Sequence, residues 1–429
     1  MKLNAISTAI CLFFLASAGS TPAAEQLNLT VKPDRPDYLY SLGDTVTFSI
    51  DCRNPGRMKD AVLAYELSED GERAIAEGRL AVNNGRATLR GALDRPGFLR
   101  LELILAAGPD TLRQVTACGF AVKAVRPTNV LPEDFERFWR QGRAELLRIP
   151  IDPVVEPAAD EKNPGSRLYK VSLGNVEGSR MFGWLRVPAA GDGPFPAVLR
   201  VPGAGVNDVG SAPEFADSGF VVLSVEIHGI GVGLDEKYYK DLSDGLLAGY
   251  RHFGYDDPYR FYYRRVILGA VRAIDYLCTR PDVDSSRIAI AGGSQGGALS
   301  LLVAGLDRRI KALAANVPAM CDHTGELYGR PSGWPRMLRN CPDRERALAT
   351  SAYYDAALNA GFITVPALVA VGFIDDVCAP TSVYAAYNNL KGYKEIDNFP
   401  NMGHDSGPGW YGKSISWLKK ALNGGFAAK

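Results

Sequence analysis

The sequence predicts a β-sandwich over residues 25–125, followed over residues 126–429 by an α/β domain with a mostly parallel sheet covered by helices. Three observations point there. Short alternating apolar and polar runs, separated by turn residues, fill the first part. Period-2 runs at that spacing are the pattern of an immunoglobulin-like sandwich. From about Leu168 onward, buried apolar strands alternate with amphipathic helical stretches, which is how a parallel sheet with crossover helices reads. Within that region Ile288-Ala289-Ile290-Ala291 runs into Gly292-Gly293-Ser294-Gln295-Gly296-Gly297 and then the apolar Ala298–Ala304. This is a strand, a sharp turn and a buried helix.

A chain of 429 residues with 46% hydrophobic and 22% charged residues is large enough for more than one globular domain. Forty-eight basic residues balance forty-eight acidic ones, so overall charge gives no reason to expect a nucleic acid or an anionic membrane as partner. Residues 1–24 read as a secretory signal peptide. Lys2 precedes an apolar run from Ala5 to Ala16, with small-residue cleavage sites at Ala16-Ser17-Ala18 and Pro22-Ala23-Ala24. That run is too short to span a bilayer, and Cys11 lies inside it, which gives no support to a lipid anchor. The expectation is a secreted or periplasmic protein. Export permits disulfides. Cys52 with Cys118 and Cys321 with Cys341 are the first pairs to test, while Cys278 is expected to be a free thiol. No cysteine or histidine spacing suggests a zinc site.

The sandwich strands are expected at Leu27–Val31, Thr45–Ile50, Ala61–Leu67, Arg86–Arg90 and Phe98–Leu103, with a last strand between Asp110 and Val125. Asp70-Gly71, Asn83-Asn84-Gly85 and Arg95-Pro96-Gly97 supply the turns. Pro132-Glu133-Asp134 then opens a helix to about Leu147, with Phe135, Phe138, Trp139, Leu146 and Leu147 proposed for one packing face. Antiparallel strands follow at Leu168–Leu173 and Gly183–Val187. The parallel strands are placed at Pro196–Val201, Phe220–Val225, Ser286–Ile290, Lys311–Asn316, Pro366–Val371 and Lys394–Asn398. Helices are placed at Phe215–Asp217, Tyr263–Thr279, Thr381–Leu390 and Trp410–Leu422. Ligands of such a sheet bind at the carboxyl ends of its strands.

Gly292-Gly293-Ser294-Gln295-Gly296 is a G-x-S-x-G nucleophile elbow, the signature of the α/β-hydrolase fold. The glycines let strand and helix approach a strained serine, and the Gln295 N–H faces a developing oxyanion. In this fold the acid and then the histidine follow the serine. Of four histidines, His228 and His252 precede Ser294. Asp375 and Asp376 come just after the strand Pro366–Val371, and only His404 follows them, directly after the last strand. The reading is Ser294 as nucleophile, His404 as base and Asp375, preferred over Asp376, as the acid that orients it. The second oxyanion donor is expected from Pro202-Gly203-Ala204-Gly205, at the Ala204 N–H. Residues 234–259 and 322–339 are expected to cap the site, with Tyr250, Tyr255 and Trp334 lining a sugar pocket.

Several stretches together resemble the acetyl xylan esterase and cephalosporin C deacetylase family, carbohydrate esterase family seven. They are the Gly293-Ser294-Gln295-Gly296-Gly297 elbow, the acid loop Gly372-Phe373-Ile374-Asp375-Asp376-Val377-Cys378-Ala379-Pro380, and Gly403-His404-Asp405. Tyr262-Tyr263-Arg264 with Asp275, and Asp134-Phe135 with Phe138-Trp139, add to the set. The acid loop supports Asp375. The family's R-G-Q reads His228-Gly229-Ile230 here, and its H-G-Y reads Pro202-Gly203-Ala204. The resemblance implies hydrolysis of acetyl esters on xylo-oligosaccharides or similar sugars, no cofactor and no metal, and a homo-oligomer. Two other readings stay open at this point: a prolyl oligopeptidase-like serine peptidase, and a glycan-binding protein without turnover. The short β domain lacks the repeats of a propeller, and the Ser/Asp/His set argues for catalysis.

Overall fold

The computed structural model describes residues 27–53, 61–108, 110–339 and 341–426. The expected signal peptide lies outside the described residues. In the first part, β1 (Asn28–Pro33), β2 (Leu39–Tyr40), β3 (Val46–Arg53), β4 (Val62–Glu69), β5 (Arg73–Leu80), β6 (Arg86–Gly91), β7 (Gly97–Ala107) and β8 (Asp110–Phe120) form two sheets. One has the order β1-β3-β6 and the other β2-β8-β7-β4-β5. Neighbours pair antiparallel, except that β2 runs parallel to β8. Alternation puts Val46, Phe48, Ile50 and Cys52 of β3 against Leu99, Leu101, Leu103 and Leu105 of β7 in one core. Sequence reading misses the two-residue β2 and the longer β5; the second has a physical reason. Its residues are exposed or half-buried throughout, so it has no apolar face to produce a period-2 signal, and main-chain pairing to β4 holds it.

The second part begins with α1 (Phe135–Leu147), β9 (Val154–Ala158), β10 (Ser166–Gly174), β11 (Arg180–Pro188), β12 (Phe195–Arg200), α2 (Pro213–Asp217), β13 (Val221–Glu226), α3 (Glu236–Asp244) and α4 (Tyr262–Thr279). It continues with β14 (Val283–Gly293), α5 (Gln295–Leu306), β15 (Ile310–Asn316), α6 (Arg344–Ser351), α7 (Ala356–Asn359), β16 (Ala367–Gly372), α8 (Pro380–Asn389), β17 (Lys394–Phe399) and α9 (Trp410–Leu422). One nine-stranded sheet runs β17-β16-β15-β14-β12-β13-β11-β10-β9. From β17 to β13 the pairs are parallel, and β11, β10 and β9 add antiparallel. The exchange of β12 and β13 against chain order creates the crevice where such sheets bind ligands. This is the α/β-hydrolase fold. Its two faces carry separate cores, one under α1, α4, α5 and α8, the other under α2 and α9.

Helix α1 straps the domain. Phe138 packs on Tyr353 at 4.6 Å and on Tyr259 at 4.9 Å between ring centroids, and Trp139 Nε1 donates to Tyr353 O at 3.3 Å. Leu147 does not share that face. It is 63% exposed while Leu146 is buried, because each residue turns a helix by roughly 100° and Leu146 already completes the Phe135 stripe. The proposed disulfides are also absent: all six cysteines after residue 26 are free thiols. Cys52 and Cys118 lie buried among the sandwich leucines. Cys321 and Cys341 donate instead to backbone carbonyls, of Ala319 at 3.2 Å and Leu338 at 3.4 Å.

The domains meet along a seam of buried polar contacts. Glu69 is fully buried and holds Arg95 at 2.7 Å. Arg95 reaches on to the Tyr328 and Gly329 carbonyls at 2.9 and 2.8 Å. Asp70 lies beside it, and burial pushes its carboxyl up to about 7 although the Thr381 hydroxyl pulls the other way. A carboxyl raised in the folded state binds its proton more tightly there than in the unfolded chain. Its contribution to stability is therefore full below about 3.8 and is lost as pH rises through about 7. Subtracting the melting temperature of wild type from that of Asp70→Asn should give a difference that grows between pH 4 and pH 7 and then levels. A flat difference would show that Asp70 is not protonated at the seam.

Candidate active site

Ser294 sits between β14 and α5 with φ 54° and ψ −120°, a strained conformation for a residue with a side chain. Its surroundings enforce it. Ser294 N donates to Asn316 O at 2.9 Å, and its own carbonyl accepts from Ala298 and Ala319 N–H, each at 3.0 Å. A Cβ on Gly292 would lie 2.6 Å from Gly296 O and 2.7 Å from Val201 O, and one on Gly296 would lie 3.0 Å from Pro202 O. The glycines are thus required by backbone approach between elbow and the loop after β12.

The serine hydroxyl lies 2.8 Å from His404 Nε2, and His404 Nδ1 lies 2.9 Å from Asp375 Oδ2. The other Asp375 oxygen accepts from the Val377 and Cys378 N–H groups, both at 2.8 Å. Asp375 is buried whereas Asp376 is exposed, and only Asp375 reaches the imidazole. A carboxylate can only accept, so Nδ1 carries the proton and Nε2 is left to accept from the serine. The hydrogen bond that His404 donates to Asp375 raises the His404 pKa above its usual value despite burial, with the charges of Asp375, Asp376 and Asp405 adding to it. The other late histidine, His323, is fully buried, and desolvation pushes it down to about 4.

The Gln295 N–H opens α5, where no helical carbonyl precedes it. The Gln295 side chain adds a part that sequence reading missed. Its Nε2 donates to Gly203 O at 3.1 Å, and its Oε1 accepts from the Tyr250 and Tyr263 hydroxyls at 2.7 Å each. Tyr250 OH also accepts from Gly205 N at 3.2 Å. His228 Nε2 faces Gly205 O at 2.9 Å and its Nδ1 faces Tyr262 OH at 2.6 Å. A carbonyl cannot donate, so Nε2 holds a proton. Burial pushes His228 down to about 4, so the ring is neutral and Tyr262 donates to Nδ1. The loop carrying Ala204 is therefore held from Gln295, Tyr250 and His228. Their spacing along the chain gave no signal, because three separate elements bring them to one loop.

Of the residues expected around a sugar, Tyr250 is buried in this network. The Tyr255 hydroxyl accepts from Asp343 N at 3.3 Å. Trp334 is half-buried, and its carbonyl and the Ser294 hydroxyl neighbour the Cys378 thiol, whose pKa burial drives well up. The expected cap 322–339 is anchored by Arg330 to the buried Asp322 at 2.6 Å. Asp322 in turn accepts from Thr128 N at 2.6 Å. Among the described residues one group could offer three ligands to a metal, Asp375, Cys378 and His404, within 4.8 Å of one another. The Asp375 oxygens already accept three hydrogen bonds there, and the thiol keeps its proton, so the group is organised to hold protons.

A model of the acetyl xylan esterase (AXE1) family matches residues 120–421. The acetyl esterase Axe7A of Xylanibacter ruminicola is 32% identical over 407 residues, covering 93% of this chain and 91% of that protein. An acetyl xylan esterase from Paenibacillus sp. R4 superposes with a TM-score of 0.62 at 26% identity, covering 70% of this chain and 98% of its own. Acetyl xylan esterase 1 from Thermoanaerobacterium sp. JW/SL YS485 shares the fold with a TM-score of 0.60 at 24% identity, over 70% of this chain and 97% of its own.

The His404 geometry is open to direct test. In a proton NMR titration the His404 imidazole should titrate above the usual histidine value, and Asp375→Asn should lower that midpoint by about one unit or more. Asp376→Asn should move it far less. Equal shifts in the two variants would remove Asp375 as the specific partner.

Proposed function

The chain belongs to the acetyl xylan esterase family and is a carbohydrate acetyl esterase, and on that premise we propose that Ser294, His404 and Asp375 carry the reaction. The continuous contact from Ser294 Oγ to His404 and on to Asp375, at 2.8 and 2.9 Å, carries the reading. Ser294 Oγ attacks the acetyl carbonyl while His404 Nε2 takes its proton. The imidazolium is stabilised by Asp375, and the charge on the carbonyl oxygen by the N–H groups of Gln295 and Ala204. His404 then protonates the departing sugar hydroxyl, leaving acetyl-Ser294. A water, deprotonated by His404, attacks this ester, and acetate leaves as the serine recovers its proton. The first proton transfer runs along the contact between Ser294 Oγ and His404 Nε2, and each later one passes through the same imidazole. The substrate class proposed is acetylated xylan or xylo-oligosaccharide, supported by the family description and by relatives named for those activities. The leader-like residues 1–24 support export to the periplasm or beyond.

Acetate release from acetylated xylo-oligosaccharides and from 4-nitrophenyl acetate tests this reading. Ser294→Ala should reduce kcat on both by at least about 10³-fold, as expected when a nucleophile is lost. Release from the nitrophenyl ester alone would retain the hydrolase and remove xylan as its substrate. Tyr250→Phe should lower kcat about 10-fold with little change in KM, because it frees the Gly205 N–H and one side of Gln295. A KM effect without a kcat effect would instead put Tyr250 on the sugar.

A further inference from the structure

We propose that the N-terminal sandwich is a working part of the active site, with Arg100 of β7 acting as a positioning residue for Asp375. The inference rests on the proposed role of Asp375. The Arg100 side chain crosses the seam, and its Nη1 donates to Ile374 O at 3.1 Å. That carbonyl belongs to the peptide that delivers Asp375. A peptide group is planar, so fixing its two ends fixes the direction in which the next Cα leaves. At the other end Asp375 N donates to Gly372 O at 3.4 Å, a long bond. The shorter, charge-assisted contact comes from the other domain.

The neighbouring residue is held from the same strand. Phe98, fully buried, meets Phe373 edge-on at 4.9 Å and Tyr384 of α8 at 5.6 Å. Residues 98 and 100 of one β-strand thus grip residues 373 and 374 of the acid turn. Arg100 is itself buried, and a buried cation is retained at a cost unless its hydrogen bonds and neighbours justify it. Asp70, Glu69 with Arg95 and Arg73, and Arg330 with Asp322 are among the charges around this seam. Asp376 and Asp405, next in the chain to the acid and the histidine, add their charges at His404.

Arg100 is not alone in closing the seam. Arg95 binds the Tyr328 and Gly329 carbonyls, and Asn388 Nδ2 donates to Val122 O at 2.7 Å and Val125 O at 3.0 Å. With other contacts joining the domains, the one aimed at the peptide before Asp375 is placed to position the acid. It also lies outside the family match, which begins at residue 120. The solved relatives align over 97–98% of their own lengths with 70% of this chain.

The test compares full-length Arg100→Met with Arg95→Met, which cuts the same seam without touching the acid turn. With 4-nitrophenyl acetate, Arg100→Met should lower kcat about 10- to 100-fold with KM little changed, the size expected from a small misplacement of a catalytic group. Asp375 raises the His404 pKa, so loosening it should move the acid limb of the kcat/KM profile to lower pH by about 0.5 to 1 unit. The NMR midpoint of His404 should fall by a similar amount. Arg95→Met should change neither. If Arg100→Met does not fold, Arg100→Lys keeps the buried charge and the same two readouts decide. Wild-type kcat with an unshifted His404 midpoint would overturn the proposal. So would activity lost only in proportion to unfolded protein, or identical shifts in both variants. Should wild type hydrolyse no ester, the esterase reading fails separately, and the NMR midpoint still decides whether Arg100 positions Asp375.

Discussion

The active site depends on the meeting of two backbones, the elbow around Ser294 and the loop after β12. Gly292 and Gly296 press against the Val201 and Pro202 carbonyls at distances no Cβ tolerates. Because the chain cannot relax there, Ser294 stays at φ 54° and ψ −120°. The strain is offset by the hydrogen bonds to Asn316, Ala298 and Ala319 and by the apolar burial of α5. The same contact brings the Ala204 loop next to the start of α5, so the proposed nucleophile and the proposed oxyanion donors come from one arrangement.

Around it, buried polar groups are matched to one another. Gln295 is fully buried, yet each end of its amide has partners, two tyrosine hydroxyls on the oxygen and the Gly203 carbonyl on the nitrogen. An unpaired amide in that position would cost roughly 1–3 kcal/mol, so pairing selects one conformation of the loop. His228 does the same for Gly205 while remaining neutral. Rigidity here has a chemical value, since oxyanion donors act best when they need no reorganisation as charge develops.

The sandwich extends that logic across a domain boundary. Its core is independent of the catalytic sheet, but Phe98 belongs to the core of the second domain, and Arg100 ends on the turn that carries Asp375. Strand β7 therefore serves both domains. Alternation makes this possible: side chains 99, 101, 103 and 105 fill the sandwich, while 98 and 100 face outward to the seam.

By itself the sequence determined both fold classes, the elbow and the order Ser294, Asp375, His404. These signals are local. Period-2 runs, glycines where backbones touch and a histidine after the last strand are all readable within a few residues. It could not locate β5 or β9, edge strands without an apolar face, nor separate Leu147 from Leu146 on α1. The choice between Asp375 and Asp376 was a preference that the resemblance supported, until burial of one and exposure of the other left a single carboxylate within reach of the imidazole. The hydrogen-bonding roles of Tyr250, His228 and Arg100 became legible only in three dimensions. Each acts through a hydrogen bond to a backbone group contributed by a different segment, 45, 23 and 274 residues away. A residue type records that such a group can donate or accept; which carbonyl it meets is decided by the packing of the strands and helices between them.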